Sequence, residues 1–225
     1  QTNLELWTSN YRFSSNNRRV GIIMAGNIPL VGFHDFLCVI LSGHKAVVKL
    51  SSDDATLLPS LMKLLVQIFP ELESRFEFST GRIGEIDAMI ATGSDNSSIY
   101  FNQYFGKYPH IFRKNRTSIA VLDGQETIEE LNLLGQDIFS YFGMGCRNIS
   151  HLILPKGFDV NRIFEGILPY SYVVDNKKYG NNYDYNKAIF MMNLVPCLDN
   201  NFVILRESVD LFSPLAVVHY QYYSS

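Results

Sequence analysis

The sequence has little of what would staple, chelate or anchor a chain. Only three cysteines occur in 225 residues, Cys38, Cys146 and Cys197. An odd count at wide spacing makes neither a disulfide framework nor a zinc site. Free thiols of this kind predict a reducing setting, so a cytoplasmic protein is expected. No run reaches the roughly 18 apolar residues that a membrane span needs. Residues 1–10 lack a basic stretch, an apolar core and an initiator Met, so they are not a signal peptide, and the chain reads as a piece of a longer protein. The histidines, His34, His44, His110, His151 and His219, show no ligand spacing. No metal is expected from them, and structural or surface roles are. No charge of one sign dominates either. A net charge of -3 gives no electrostatic reason for a nucleic-acid partner. Internal repeats and low-complexity tracts are absent.

What is present is ordinary globular material, 47% hydrophobic and 18% charged. That is enough for one large domain or two small ones. The 13 Tyr and 16 Phe come without a basic stripe, which predicts a ring-rich core rather than a stacking surface.

Strand and helix signals alternate along the first half. Val20 to Met24 is a β-branched run that ends in a turn at Ala25-Gly26-Asn27. Pro29 to Ser42 is apolar and long enough for a buried helix, with Gly43 as its stop. Ala46 to Leu50 predicts the next strand, and Asp54 is placed to cap a helix through Phe69. Ile86 to Ala91 predicts a strand, Thr92-Gly93-Ser94 a turn, and Asn96 to Phe105 a helix. Such alternation implies parallel βαβ units with right-handed crossovers. Ligands on these sheets bind at the carboxyl ends of the strands. Asn27, Ser51, Ser52, Gly93 and Ser94 all follow strands and are expected on one edge.

After Phe112 the pattern restarts. Ser118 to Leu122 predicts a strand, and Thr127 to Phe142 an amphipathic helix with Ile128, Leu131, Leu134, Ile138 and Phe142 on one face. The acidic residues Glu126 to Glu130 suit that helix's N-terminus. Gly143-Met144-Gly145-Cys146 breaks the helix, and Leu152 to Leu154 begins a strand. Asp175 to Asn186 is polar and reads as an exposed loop. Phe202 to Leu205 and Leu215 to Tyr220 read as late strands.

Cys146 lies between a helix end and a strand, behind two glycines that permit close approach of backbone and ligand. Read alone, a single cysteine is more often a small buried hydrophobe than a nucleophile. That packing reading is kept for Cys38 and Cys197. Asn27 is either a turn asparagine or a side-chain amide donor for an oxyanion. Gly81-Arg82-Ile83-Gly84 lacks the preceding strand that a phosphate fingerprint requires.

Five blocks in order resemble the aldehyde-dehydrogenase superfamily. Val20-Gly21-Ile22-Ile23-Met24-Ala25-Gly26-Asn27-Ile28-Pro29-Leu30 resembles its strand-to-turn segment ending Pro-Trp-Asn-Phe-Pro. Ser42 to Ser51 resembles Gly-Asn-x-Val-Val-x-Lys-Pro-Ser, and Ala91-Thr92-Gly93-Ser94 resembles Phe-Thr-Gly-Ser. Gly143-Met144-Gly145-Cys146 fits Gly-Gln-x-Cys, and Asp210-Leu211-Phe212-Ser213-Pro214 parallels Glu-x-Phe-Gly-Pro. Ser94-Asp95-Asn96-Ser97, Phe105 to Pro109 and Leu211 to Leu215 look like the acyl-CoA reductase branch, similar to LuxC, the fatty-acid reductase of bacterial bioluminescence.

The resemblance implies an α/β fold. A Rossmann-type parallel-sheet cofactor domain would span 1–113, and a second, incomplete α/β catalytic domain 114–225. It implies Cys146 as nucleophile and Asn27, with the backbone N–H of Cys146, as oxyanion donors. It implies Lys49, Ser51 and Ser52 at the adenosine ribose, Gly93 and Ser94 at the pyrophosphate, Asp210 at the nicotinamide ribose and Phe212 beside the nicotinamide. The implied reaction is NADPH-dependent reduction of a fatty acyl thioester, carried on CoA or an acyl carrier, to an aldehyde. A homo-oligomer would fit the family.

Departures refine this. The family's turn Trp is Gly26, which would widen the site. The acidic residue that favours NAD is the neutral Ser52, so NADPH is preferred and NAD is the alternative. The hydrolytic glutamate should fall near Phe112 to Asn115, where there is no acid. Without that base, water is not activated, and a thioester reductase must avoid hydrolysis. The family's Arg five residues beyond the cysteine is His151. Two other readings stay open: an acyl-phosphate reductase of the same superfamily, and a non-catalytic nucleotide- or thioester-binding module.

Overall fold

The computed structural model describes residues 2–11, 17–93, 95–114 and 117–224. The chain divides into two compact units, Gln1–Asn115 and Arg116–Ser225.

In the first unit, α1 (Asn3–Thr8) precedes β1 (Arg19–Ile23), α2 (Phe33–Leu41), β2 (Lys45–Lys49), α3 (Leu57–Ile68) and β3 (Phe76–Phe78). Then come β4 (Ala88–Thr92), α4 (Asp95–Phe105) and β5 (His110–Arg113). All five strands are parallel, in the order β3-β2-β1-β4-β5. The order reverses direction between β1 and β4, which puts a crevice at their carboxyl ends. Val20, Ile22, Ala46 and Val48 pack with Phe36, Val39, Leu58 and Met62 of α2 and α3 on one face. Val47, Met89 and Ala91 make a second cluster with Phe101 and Phe112. Burial of both faces explains why these strands read as continuous apolar runs rather than as alternations.

Two predicted helix starts move. The helix expected from Pro29 begins at Phe33. The helix predicted from Asp54 starts at Leu57, with Thr56 in the N-cap position. Asp54 instead accepts a hydrogen bond from Leu30 N at 2.6 Å, across 24 residues. Leu30 stands at φ 54°, so the carboxylate secures a turn that a non-glycine residue resists. The short strands β3 and β5 carried no clear sequence signal.

The second unit contains β6 (Ser118–Val121), α5 (Ile128–Phe139), β7 (Ile149–Pro155), α6 (Asn161–Ile167) and α7 (Lys177–Met192). It ends with β8 (Leu198–Asp199), β9 (Ile204–Glu207) and β10 (Val217–Tyr223). Its sheet runs β6-β7-β10-β9-β8, with only β8 antiparallel. Thr127 caps α5 through a reciprocal pair with Glu130. Leu131, Ile138, Leu152, Leu154, Ile163, Ile167 and Leu205 form the core, each fully or nearly fully buried. Each such side chain contributes about 1.5–3 kcal/mol of burial.

The predicted exposed loop at Asp175 to Asn186 is overturned, because most of it lies inside α7. Tyr179, Tyr183, Asn186 and Phe190 recur at helical spacing and are buried. Their polar atoms are satisfied in place. Tyr179 Oη donates to Phe202 O at 2.9 Å, Tyr183 Oη to Asp199 Oδ1 at 2.7 Å, and Asn186 Nδ2 to Leu215 O at 2.9 Å. Among the described residues, no helix is long and apolar enough to cross a membrane.

Candidate functional site

In the first unit, Asn27, Ser51 and Gly93 follow β1, β2 and β4, three adjacent strands, at their carboxyl ends. The turn after β1 and the turn after β2 touch. A Cβ on Gly26 would lie 2.4 Å from Ser51 Oγ and 2.6 Å from Ser51 Cβ. The missing side chain at Gly26 therefore does not widen the site as expected, because Ser51 fills that space. Ser51 Oγ also accepts from Asp53 N at 3.3 Å. Lys49 closes β2 with an exposed side chain. Ser52 is exposed, and its hydroxyl donates to Asp53 Oδ1 at 3.4 Å. The neutral position thus has a carboxylate for a neighbour. Gly93 N donates to Arg113 O at 3.1 Å, and Gly93 packs where a Cβ would meet Ser97 and Phe101 of α4. Ser94 lies outside the described residues.

No acid occurs in Phe112 to Lys114, as the sequence shows. The fold nevertheless brings one there. Asp35, buried on α2, forms an ion pair with Arg113 of β5. Its carboxylate is directed onto that guanidinium. Sequence reading missed Asp35 because 78 residues separate the partners.

A cavity of about 650 Å³ lies off the other half of this sheet, against Val20, Met89, Cys38 and Trp7. It includes none of the predicted site residues. Cys38 there is partly buried, and burial together with the charge of Asp35 pushes its thiol up from the usual range. That suits the packing role expected of it. Cys197, expected to be packed, is instead exposed.

In the second unit, α5 stops three residues before its predicted end. Tyr141 and Phe142 adopt left-handed backbone at φ 53° and 55°, and Gly143 follows at φ 68°. The chain then makes a tight turn over Gly145-Cys146-Arg147-Asn148. Asn148 N donates to Gly145 O at 3.1 Å, and Gly145 N donates to Asn148 Oδ1 at 2.7 Å. Asn148 Nδ2 donates to Asp137 O at 2.9 Å and Ile138 O at 3.0 Å. One side chain thus closes the turn and satisfies two carbonyls that the helix end leaves open. A Cβ on Gly145 would lie 2.5 Å from Asn148 Oδ1, so the turn needs glycine there. Cys146 sits exposed at the tip.

This turn feeds the amino end of β7. The segment 208–216 feeds the amino end of β10, the adjacent strand. The two are tied: Ser150 Oγ donates to Leu211 O at 3.2 Å, and Ser213 Oγ lies 3.0 Å from Ser150 O and 2.6 Å from Val217 O. Asp210 and Phe212 are exposed on that segment, Phe212 to 56%. The Asp210 carboxylate accepts from Ser208 Oγ at 3.3 Å.

These parts can do distinct chemistry. The carboxyl edge of β1, β2 and β4 offers glycine-flanked turns, hydroxyls and one ammonium, beside the carboxylates of Asp53 and Asp54. The second unit offers an accessible thiol, an exposed carboxylate and an exposed ring. Among the described residues no cluster of three potential ligands could hold a metal.

No family profile and no curated protein matches the chain. Solved structures do. A Mycobacterium tuberculosis aldehyde dehydrogenase complexed with NAD+ is 15% identical at a TM-score of 0.70, over 92% of this chain and 52% of that one. The indole-3-acetaldehyde dehydrogenase of Pseudomonas syringae, as a cysteine-to-alanine mutant with NAD+, is 13% identical at 0.70, over 92% and 52%. Aldehyde dehydrogenase C of Pseudomonas syringae, also a cysteine-to-alanine mutant, with NAD+ and octanal, is 13% identical at 0.66, over 96% and 56%. The chain spans about half the length of the structures it matches. At these identities the likeness is one of fold, and the fold is that of the aldehyde dehydrogenases.

Proposed function

We propose that this chain carries the dinucleotide-binding and cysteine-bearing parts of an oxidoreductase that reduces an acyl thioester to an aldehyde. The observation that carries the reading is the exposed thiol of Cys146, held at the tip of a turn that Asn148 closes. The aldehyde-dehydrogenase fold supports it, as do the neighbours solved with NAD+.

The thiolate of Cys146 attacks the acyl carbon. A bond forms from Sγ to that carbon, the bond from carbon to the CoA sulfur breaks, and CoA leaves as a thiolate that takes a proton from water. The acyl group is then held as a thioester on the protein. Asn27 serves as an amide donor for the oxyanion. Lys49, Ser51, Ser52, Gly93 and Ser94 would hold the adenosine and pyrophosphate, and Asp210 and Phe212 the nicotinamide end. When bound, the dinucleotide would supply a hydride equivalent; Cys146 would then leave the acyl carbon as thiolate and the acyl group would depart as aldehyde. The lack of an acid in Phe112 to Asn115 favours reduction over hydrolysis. NADPH is the preferred donor because Ser52 is neutral. Asp53 beside it opposes a 2′-phosphate, so Asp53→Asn should tighten NADPH more than NADH.

The deciding experiment is mass spectrometry of the chain after incubation with a long-chain acyl-CoA. The expected adduct is one acyl group on Cys146, absent in Cys146→Ala. An adduct elsewhere, or none, favours a binding module. Faster acylation by an acyl phosphate than by acyl-CoA would move the substrate to that class. Full thioester reduction by Cys146→Ala would overturn the mechanism.

A further inference from the structure

Two buried histidines at the amino edge of β7 and β10 take no part in the thioester chemistry. His151 is fully buried and His219 is 3% exposed. They are register partners on neighbouring parallel strands. The next pair, Leu152 and Tyr220, joins the helical core, so alternation turns both histidines to the opposite face. There the segment 208–216 crosses from the end of β9 to the start of β10. Asp210 O lies 3.0 Å from His151 Nδ1 and 2.8 Å from His219 Nδ1. A carbonyl oxygen only accepts, so both rings carry a proton on Nδ1 and use the two lone pairs of one atom. Neither Nε2 has a protein partner among the described residues. Burial pushes the His219 pKa down.

The neighbouring backbone is fixed too. Ser208 N donates to Tyr220 O at 2.9 Å, and Leu211 O accepts from Ser150 Oγ. The side chains of Asp210, Leu211 and Phe212 nonetheless stay exposed. A backbone anchored on buried groups, with consecutive side chains left outside, is built to present those side chains.

We infer that His151 and His219 are positioning residues for the dinucleotide, clamping Asp210 O so that the Asp210 carboxylate and the Phe212 ring stand ready for its nicotinamide end. This rests on the dinucleotide reading above. It also gives a role to the position where the resembling family has Arg.

The test compares His151→Leu and His219→Leu with His151→Asn and His219→Asn. The Asn amide nitrogen sits where Nδ1 does and can donate. Each Leu variant should raise the KM for the dinucleotide by about three- to tenfold. Each should also speed amide exchange over residues 208–213, and should leave the rate of Cys146 acylation, measured without dinucleotide, unchanged within about twofold. Each Asn variant should restore KM and exchange protection. Where a Leu variant does not fold, the Asn variant still decides, because a donor-independent packing role predicts that it also loses binding. If the wild type reduces the thioester but the Leu variants keep its KM, the positioning role alone is wrong. The same holds if acylation falls in step with KM. If the wild type binds no dinucleotide at all, the proposed function falls as well.

Discussion

Replacing Asn148 with Ala removes three hydrogen bonds at once, from Gly145 N at 2.7 Å and to Asp137 O and Ile138 O at 2.9 and 3.0 Å. Each is worth about 0.5–1.5 kcal/mol net, more where a buried group is left unpaired. The turn is half-buried, so water replaces part of what is lost. We expect Asn148→Ala to cost about 2–4 kcal/mol, read by urea denaturation followed by far-UV circular dichroism. Asn148→Asp separates the two halves of the role. It keeps an acceptor for Gly145 N but places a carboxylate against carbonyls at a helix C-terminus, where negative charge is unfavourable. It should be no more stable than the Ala variant. The second assay is the rate at which Cys146 reacts with a small aromatic disulfide under native conditions, with Cys38→Ser and Cys197→Ser backgrounds to isolate it. A loosened turn should change that rate severalfold in both variants. Loss of less than about 0.5 kcal/mol, with an unchanged thiol rate, would show that Asn148 does not hold the cysteine turn.

Two further perturbations test the frame around the site. Gly26→Ala forces a Cβ to within 2.4 Å of Ser51 Oγ, so the turns after β1 and β2 must part. The expected result is about 1–3 kcal/mol of destabilisation with weaker dinucleotide binding, seen by denaturation and by titration of protein fluorescence. Lys187 Nζ and Asp199 Oδ2 pair at 2.6 Å. Burial alone would raise the Asp199 pKa, but the bonds from Lys187, Tyr183 and the Asn201 amide outweigh it and leave it below the usual 3.8. A depressed carboxyl stabilises the fold above its unfolded value and loses that contribution as pH falls through the folded value. Asp199→Asn should therefore cost about 1 kcal/mol at pH 7, since the pair is partly exposed. Its stability should converge with the wild type as pH drops below about 4, and a constant gap down to pH 2 would contradict the assignment.

Much of the scaffold was legible because it rests on local signals. Val20 to Met24 and Ala46 to Leu50 are β-branched or apolar runs with turn residues behind them, and they became β1 and β2 within a residue. Gly43, at φ 86°, ends its helix as expected. The amphipathic spacing from Thr127 and the acids between Glu126 and Glu130 marked the start of α5, whereas its end was misjudged because Phe142 keeps the apolar spacing while its backbone has already turned left-handed. Helix α7 was illegible for a different reason. Its buried stripe is tyrosine and asparagine, whose polar atoms find partners on Phe202, Asp199 and Leu215, beyond the reach of any local window. The candidate site divides in the same way. Gly143, Gly145 and Cys146 are adjacent in sequence, and their turn could be read. The His151 clamp on Asp210 joins residues 59 apart, and only strand register brings them together.

Each sheet takes all of its strands from one uninterrupted half of the chain. As the polypeptide leaves the ribosome, β1 to β5 can complete their ladder before β6 has been made. Among the described strands, none of the first sheet takes a partner from the second unit. The interval in which a nascent chain exposes a sticky strand to its neighbours is thereby kept short for each half in turn.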